Sequence, residues 1–463
     1  KDDIAYLANQ FGFDIPFYEI ISKTKEVSEQ TIKDLVVKKA KFIYDTKDEL
    51  EEEIEKEECG YLFNDIEMPL SIVLANMEYE GIRVDRDVLN DMNNELEEKI
   101  KEVSSRIYDL ANEEFNISSP KQLGEILFEK LKVGKGKKTK SGYSTDKSVL
   151  EKYVDRHPII PLVLEHRMLT KLQSTYVVGL EASILDDGKI HTIYTQTLTR
   201  TGRLSSIEPN LQNIPARTDY GKLIRKAFIP EKDSVLLSSD YSQIELRVFA
   251  HFSKVPNWID AFKNDLDIHT RTAMDIFNVS KEDVTPLMRR QAKAVNFGIL
   301  YGISSFGLAQ DLGISVKEAK EFINKYFETY SGTKIYMDKV VKDAYQKGYV
   351  TTIMNRKRRI DELNNTNYII RQQGERMALN TPIQGSSADI LKKAMIDIYN
   401  EFKSNNIKSK MLLQVHDELI FNVLENEVDE VTDIVRRCMD NAYKLDVPLK
   451  VDIETGKNWY EAK

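Results

Sequence analysis

Two aspartates, Asp240 and Asp417, sit where acidic side chains could do chemistry on phosphates. Asp240 follows the apolar run Val235-Leu236-Leu237, and Asp417 lies in His416-Asp417-Glu418 between the runs 411–415 and 419–423. A carboxylate at the end of an apolar strand presents its charge on a rigid support. If the two strands are neighbours the carboxylates converge, and at ~4 Å they repel by roughly 4 kcal/mol at an effective dielectric of ~20. A pair of divalent cations removes that repulsion. One cation activates an attacking hydroxyl and the other holds leaving phosphate oxygens. Oxygen donors of this hardness favour Mg²⁺. Taken alone, either aspartate reads first as the polar end of a strand at a turn, so the reading rests on the pair and its neighbours.

A second constellation lies in Arg289-Arg290-Gln291-Ala292-Lys293-Ala294-Val295-Asn296-Phe297-Gly298-Ile299-Leu300-Tyr301-Gly302. Arg289, Lys293, Phe297 and Tyr301 succeed one another at i+4, a stripe that drifts ~40° per step on a helix and spans roughly 18 Å. It is cationic at one end and aromatic at the other. That suits a nucleoside triphosphate, with cations on the phosphates and rings on sugar and base. The alternative is an amphipathic helix with solvated basic residues and two core aromatics. Glu245, five residues beyond Asp240, is in reach of the sugar side of the same site, or is a surface carboxylate or a salt-bridge partner.

Several elements must position these groups. Leu89, Met92, Leu96, Ile100, Val103, Ile107 and Leu110 step by three and four, which predicts one long amphipathic helix. Ser118-Ser119-Pro120 supplies a cap and first-turn proline for a helix through Leu131. A lysine loop follows at 132–141, then a helical pattern over 145–176 and a strand-like alternation over 188–195. Residues 260–345 are helix-rich, and the two runs around Asp417 predict a hairpin. Helices, sheet, helices, sheet in that order predict an α+β protein whose sheet is assembled from distant segments.

Asp240-Tyr241-Ser242-Gln243-Ile244-Glu245-Leu246-Arg247 resembles motif A of the family A DNA polymerases, Val415-His416-Asp417-Glu418 resembles motif C, and the 289–302 string resembles motif B. The likeness runs nearly continuously over 67–463. It implies a right-hand polymerase with palm, fingers and thumb. The palm–thumb connection is expected at 67–90, the thumb at 91–190, the palm at 191–260 and 366–463, and the fingers at 261–365. Asp240 and Asp417 are then the catalytic metal ligands with the Tyr241 carbonyl, Glu418 supports them, and two Mg²⁺ ions (Mn²⁺ as a substitute) are the cofactors. Gln243, Glu245, His269, Arg289, Lys293, Phe297 and Tyr301 bind the dNTP. Arg289, Lys293 and His269 are expected on its phosphates, and Lys293 also protonates the leaving pyrophosphate. Glu245 packed with Phe297 blocks a ribose 2′-hydroxyl, Phe297 in place of Tyr implies poor use of dideoxynucleotides, and Tyr301 marks the template-base position. Arg203, Gln212, Asn213, Arg376, Asn380, Gln384 and His416 are the expected contacts to primer–template DNA. Such donors can check pair shape in the minor groove without reading sequence.

Residues 1–66 resemble the C-terminal part of a 3′→5′ exonuclease domain. Phe42 and Thr46 stand where its Tyr-x-x-x-Asp metal site belongs, so no proofreading is expected. The string Arg356-Lys357-Arg358-Arg359 resembles a Gly-Arg-Arg-Arg segment in which Asn355 replaces the glycine, leaving the turn open to question. Gly136-Lys137-Lys138-Thr139 is not a P-loop, because the spacing fails.

Composition sets outer bounds. The 463 residues exceed one core, and 41% hydrophobic with 30% charged content describes a folded rather than a disordered chain. No stretch approaches the ~18 apolar residues of a membrane span. Cys59 and Cys438 are the only cysteines, which excludes a disulfide scaffold and a cysteine-rich zinc site. The start at Lys1-Asp2-Asp3 reads as a cut within a longer protein. A net charge of −9 speaks against a polyanionic partner, but binding depends on where basic groups sit. Lys132, Lys135, Lys137, Lys138 and Lys140 collect in one loop, which either grips duplex phosphates or is a solvated flexible segment. The family resemblance, not composition, implies a monomer in the bacterial cytoplasm, at the nucleoid. The rival readings are a single-subunit RNA polymerase and a catalytically dead DNA-binding protein.

Overall fold

Val235-Leu236-Leu237 lies within a strand, β1 (Ser234–Tyr241), in a computed structural model that describes residues 3–17, 20–21, 23, 27–140, 142–215 and 219–463. Asp240 is the next-to-last residue of β1. The runs flanking Asp417 form the expected hairpin, β2 (Lys410–Val415) and β3 (Glu418–Leu424), antiparallel with Val415 opposite Glu418. A further strand, β4 (Val451–Gly456), completes a sheet ordered β2-β3-β1-β4. Leu419, Ile420, Phe421 and Val423 have no exposed surface. Burial of each such side chain stabilises the fold by roughly 1.5–3 kcal/mol. The Tyr194 hydroxyl accepts from the Gln414 amide at 2.9 Å, tying β2 to the segment before it.

The chain divides into two compact units: Lys1–Tyr79, Tyr194–Ile207 and Ser238–Ile453 in the first, and Glu80–Ile193, Glu208–Leu237 and Glu454–Lys463 in the second. In the first, α1 (Ile244–Ser253) follows β1 after a turn at Gln243, whose φ is +55°. Helix α2 (Ile268–Phe277) starts at Asp267, whose carboxylate accepts from the Thr270 amide. Helix α3 (Pro286–Leu300) starts at Thr285, which caps the Met288 amide, with Pro286 in the first turn. Helices α2 and α3 pack on each other. Helix α4 (Tyr368–Ser404) runs 37 residues through Pro382. From Gly385 to Lys392 every residue of α4 is buried, so this is a core helix without a solvent face there.

Near the start of the first unit, the acidic residues Glu51, Glu52, Glu53 and Glu55 lie in a helix, Glu29–Lys56. Phe42 is buried with Ala5, Ala8 and Ile15, its ring edge-on to Phe11 and Phe13. Buried Thr46 donates to the Phe42 carbonyl at 2.7 Å. Asn355 has φ +63°, so it takes up the left-handed turn that glycine would fill, and its side chain donates to the Glu58 carbonyl at 2.7 Å.

In the second unit the long amphipathic helix is Arg86–Ala111, capped by Asp85 and packed on the helix Ile159–Lys171. Ser119 and Pro120 begin the next helix as their types imply, with a π-turn over Ile126–Lys130. The pattern over 145–176 is not one helix. Short helices end by Tyr153, and the chain restarts after His157-Pro158, because proline cannot continue a helix from the preceding turn. The lysine loop contains a small hairpin, Lys138–Thr139 with Gly142–Tyr143; its position 141, like residues 1 and 2, lies outside the described residues. The alternation over 188–195 splits into two short strands, Lys189–Ile190 and Ile193–Thr195. Trp459 is fully buried against Phe228 and under the Arg225 guanidinium, 4.1 Å from its ring. Among the described residues no helix is long and apolar enough to cross a membrane.

Candidate functional site

Strands β1 and β3 bring the neighbourhoods of the two aspartates together. The Tyr241 amide donates to the Asp417 carbonyl at 3.2 Å. On the same pair of strands, Ser238 shares a hydrogen bond with Glu418 Oε1 at 2.6 Å, and Glu418 is buried. Glu418 therefore lies behind the strand ends. The Tyr241 ring is buried and its hydroxyl donates to the Met439 carbonyl at 2.7 Å, which fixes the backbone beside Asp240. Asp417 occupies a two-residue turn with His416, whose φ of +58° is a conformation that non-glycine residues seldom adopt. The Gln414 amide group donates to the His416 carbonyl at 2.5 Å and holds that turn. Strained turns of this kind cluster at functional sites.

No group of three or more His, Cys, Asp or Glu side chains is gathered for a metal among the described residues. The donors at the strand ends are two carboxylates and the Tyr241 carbonyl. This all-oxygen set fits Mg²⁺ rather than a soft metal.

Glu245 is the junction of the site. It opens α1 and is buried, yet it accepts from both Arg203 and the Tyr301 hydroxyl. Arg203 also comes within 3.8 Å of Asp417 Oδ1, so one guanidinium bridges the two acidic groups. Burial, and next the Glu245 charge, push the Tyr301 phenol well above its ordinary value. Phe297 is near-parallel to Tyr301 at 6.5 Å and lies 5.7 Å from the His269 ring. Lys293, Phe297, Tyr301 and Arg376 line one cleft of about 520 Å³. Arg290 lines it too. Its signal was the i+3 step to Lys293 and the i+7 step to Phe297, which extend the stripe sideways.

Arg289 pairs with Asp267 at 2.6 Å. The ion pair holds Asp267 down to about 2, against the pull of burial. His269 is 3% exposed, and its Nδ1 lies 3.1 Å from the Asn296 amide nitrogen on α3. Because that amide nitrogen is a donor, Nδ1 accepts and the ring proton resides on Nε2. Burial lowers His269 to about 4, so it is a neutral donor at pH 7. Asn380 Oδ1 is buried with no hydrogen-bond partner among the described residues. Gln243 occupies the β1–α1 turn, and Gln384 lies on α4 two residues beyond Pro382. Gln212 and Asn213 belong to the second unit, in a short turn capped by Asn210.

A family model described as DNA polymerase family A matches residues 86–461. The chain is 51% identical to DNA polymerase I of Bacillus subtilis (strain 168), over 100% of this chain and 53% of the relative. It is 52% identical to DNA polymerase I of Geobacillus stearothermophilus, over 94% of this chain and 50% of the relative. The chain thus spans about half the length of these curated relatives. A solved structure described as the POL domain of Pol1 from M. smegmatis, in complex with DNA primer-template and dNTP, is 42% identical. It superposes with a TM-score of 0.88 over 93% of this chain and 76% of that one. The α+β expectation and the family resemblance both stand on these likenesses.

Proposed function

The chain belongs to DNA polymerase family A, and from that premise we propose that it is a template-directed DNA polymerase. It adds dNTPs to a primer 3′-hydroxyl, releases pyrophosphate and has no proofreading activity. The observation that carries the reading is the hydrogen bond between Tyr241 and Asp417, which sets the supports of the two aspartates side by side.

Asp240, Asp417 and the Tyr241 carbonyl would hold two Mg²⁺ ions, with Mn²⁺ as a substitute. When bound, these supply activation of the primer hydroxyl and charge neutralisation on the phosphates. Lys293 and Arg289 bind the triphosphate by charge-assisted hydrogen bonds, and neutral His269 donates to it from Nε2. Lys293 also delivers a proton to the leaving pyrophosphate. Glu245 and Phe297 close the sugar side and exclude a 2′-hydroxyl. Gln243 contributes to the nucleotide pocket from the β1–α1 turn, and Tyr301 keeps the templating position. Arg203, Gln212, Asn213, Arg376, Asn380, Gln384 and His416 hold the primer–template duplex. Catalysis is positioning with electrostatic stabilisation.

The same reading divides the chain into a partial exonuclease-like segment (1–66), connection (67–90), thumb (91–190), palm (191–260, 366–463) and fingers (261–365), acting as a monomer in the bacterial cytoplasm. Phe42 and Thr46 supply no carboxylate to a second metal site, which supports the absence of proofreading. The test is primer extension with dNTPs or rNTPs in Mg²⁺. Extension with dNTPs alone supports the reading. Extension with rNTPs alone would make the chain an RNA polymerase, and none with either would leave it a binding protein.

A further inference from the structure

Four charged side chains outside the proposed machinery form a closed cluster. Arg356 donates from Nε to Asp389 at 2.8 Å and from Nη2 to Glu67. Lys392 donates to the same Glu67 oxygen at 2.7 Å. Thr352 donates to Asp389 at 2.5 Å and accepts from the Arg356 amide at 3.0 Å, while Gln196 donates to Glu67 at 2.6 Å. Asp389 has no exposed surface and Lys392 is buried. Two cations and two anions cancel. Burying such a set seldom yields more stability than apolar residues of the same volume, so its presence asks for a geometric reason.

That reason lies in the loop the cluster supports. Gly202 has φ +84°, and a methyl on its Cα would lie 2.4 Å from Arg356 Nε, so the loop backbone rests directly on the guanidinium. On the other side, a methyl on Gly385 would lie 2.5 Å from Thr352 Cγ2 and 2.8 Å from the Thr201 carbonyl. Thr201 and Gly202 are thus set against α4, Thr352 and Arg356 with no space for a side chain. The next residue is Arg203, the bridge to Glu245 and Asp417. Lys392 also shares with Arg203, Gln414, His416 and Asp417 a residual cavity of only about 10 Å³.

We infer that the Arg356–Asp389–Glu67–Lys392 quartet is a positioning device for Arg203, holding the 201–203 loop so that Arg203 stays on Glu245 and Asp417. The quartet touches no reacting group. This inference rests on the polymerase reading for its kinetic consequence, but its structural content is independent of activity.

The experiment is a double-mutant cycle on the full chain, with Arg356→Lys, Arg203→Ala and both together. Arg356→Lys keeps the charge and loses the two-sided geometry. It is expected to lower kcat/KM for dNTP addition about ten-fold, and the double variant to fall no further than Arg203→Ala alone. Additive losses would overturn the inference. The second readout is the guanidinium Nε–H resonance of Arg203, identified by its loss in Arg203→Ala. Broadening of that signal in Arg356→Lys is expected, and an unchanged signal overturns the inference even if the wild type extends no primer. That last result would sink the polymerase reading alone. Should Arg356→Lys fail to fold, Gly202→Ala displaces the loop without altering the quartet's charges. Wild-type kinetics and an unchanged Arg203 signal in that variant would equally end the proposal.

Discussion

Tyr241 donates its backbone amide to the carbonyl of Asp417 at 3.2 Å. The bond joins two segments that the chain separates by α1 through α4, and it makes a common edge of the residues to which the proposed chemistry is assigned. Asp240 precedes the donor and Glu418 follows the acceptor. Glu418, bonded to Ser238 in the buried layer, braces the edge from behind.

Glu245 holds Arg203 and Tyr301 at once, so its removal should loosen the sugar side of the proposed nucleotide pocket. Glu245→Ala is expected to raise the ratio of rNTP to dNTP kcat/KM by roughly ten-fold or more, since a steric block is deleted. Single-nucleotide incorporation kinetics measure it. An unchanged ratio would remove Glu245 from sugar selection.

His269 gives the fold a pH dependence of definite sign. Its ordinary value of 6.5 falls to about 4 in the folded chain, chiefly through burial. Below pH 6.5 the unfolded chain takes up a proton that the folded one does not, so stability falls as pH drops toward 4. From pH 7.5 to 5 the contribution lost is about 2 kcal/mol. Asp267 acts lower, between 3.8 and about 2, and does not overlap that window. Urea unfolding of wild type and His269→Asn at both pH values should show a smaller drop in the variant. Equal drops would mean that His269 is solvated and protonates freely.

A primer with a mismatched 3′ end, incubated with Mg²⁺ and no dNTP, should stay intact. Phe42 is sealed against Phe11 and Phe13, and the Thr46 hydroxyl is turned to its own helix. Mg²⁺-dependent shortening of the primer would show a nuclease that these two positions cannot account for.

The local parts of the fold were legible because local rules decide them. Ser119-Pro120 and Thr285-Pro286 announce helix starts, the 3–4 spacing from Leu89 announces a long helix, and the runs beside Asp417 announce a hairpin. Strand β4 went unread although Val451-Asp452-Ile453-Glu454 alternates apolar and polar, because the alternation is confined to these four residues before Thr455-Gly456. Helix α4 was missed because Pro382 and the surrounding glycines imitate a break, while its all-round burial erases the amphipathic stripe. The stretch over 145–176 carries a helical pattern without a visible break because its apolar spacing survives across Pro158. The candidate site was legible as separate strings. What no string discloses is that Glu245 joins two of them, or that Glu67 and Lys392 meet from 325 positions apart. Such pairs depend on tertiary packing, and spacing along the chain does not encode them.

The most direct test of the two-aspartate centre is the single-turnover rate of primer extension against Mg²⁺ concentration, for wild type, Asp240→Ala and Asp417→Ala. Each variant is expected to bind primer–template DNA and to lose at least about 10³-fold in rate at every Mg²⁺ concentration. A rate in either variant within a few-fold of wild type would contradict the assignment of the reaction to this pair.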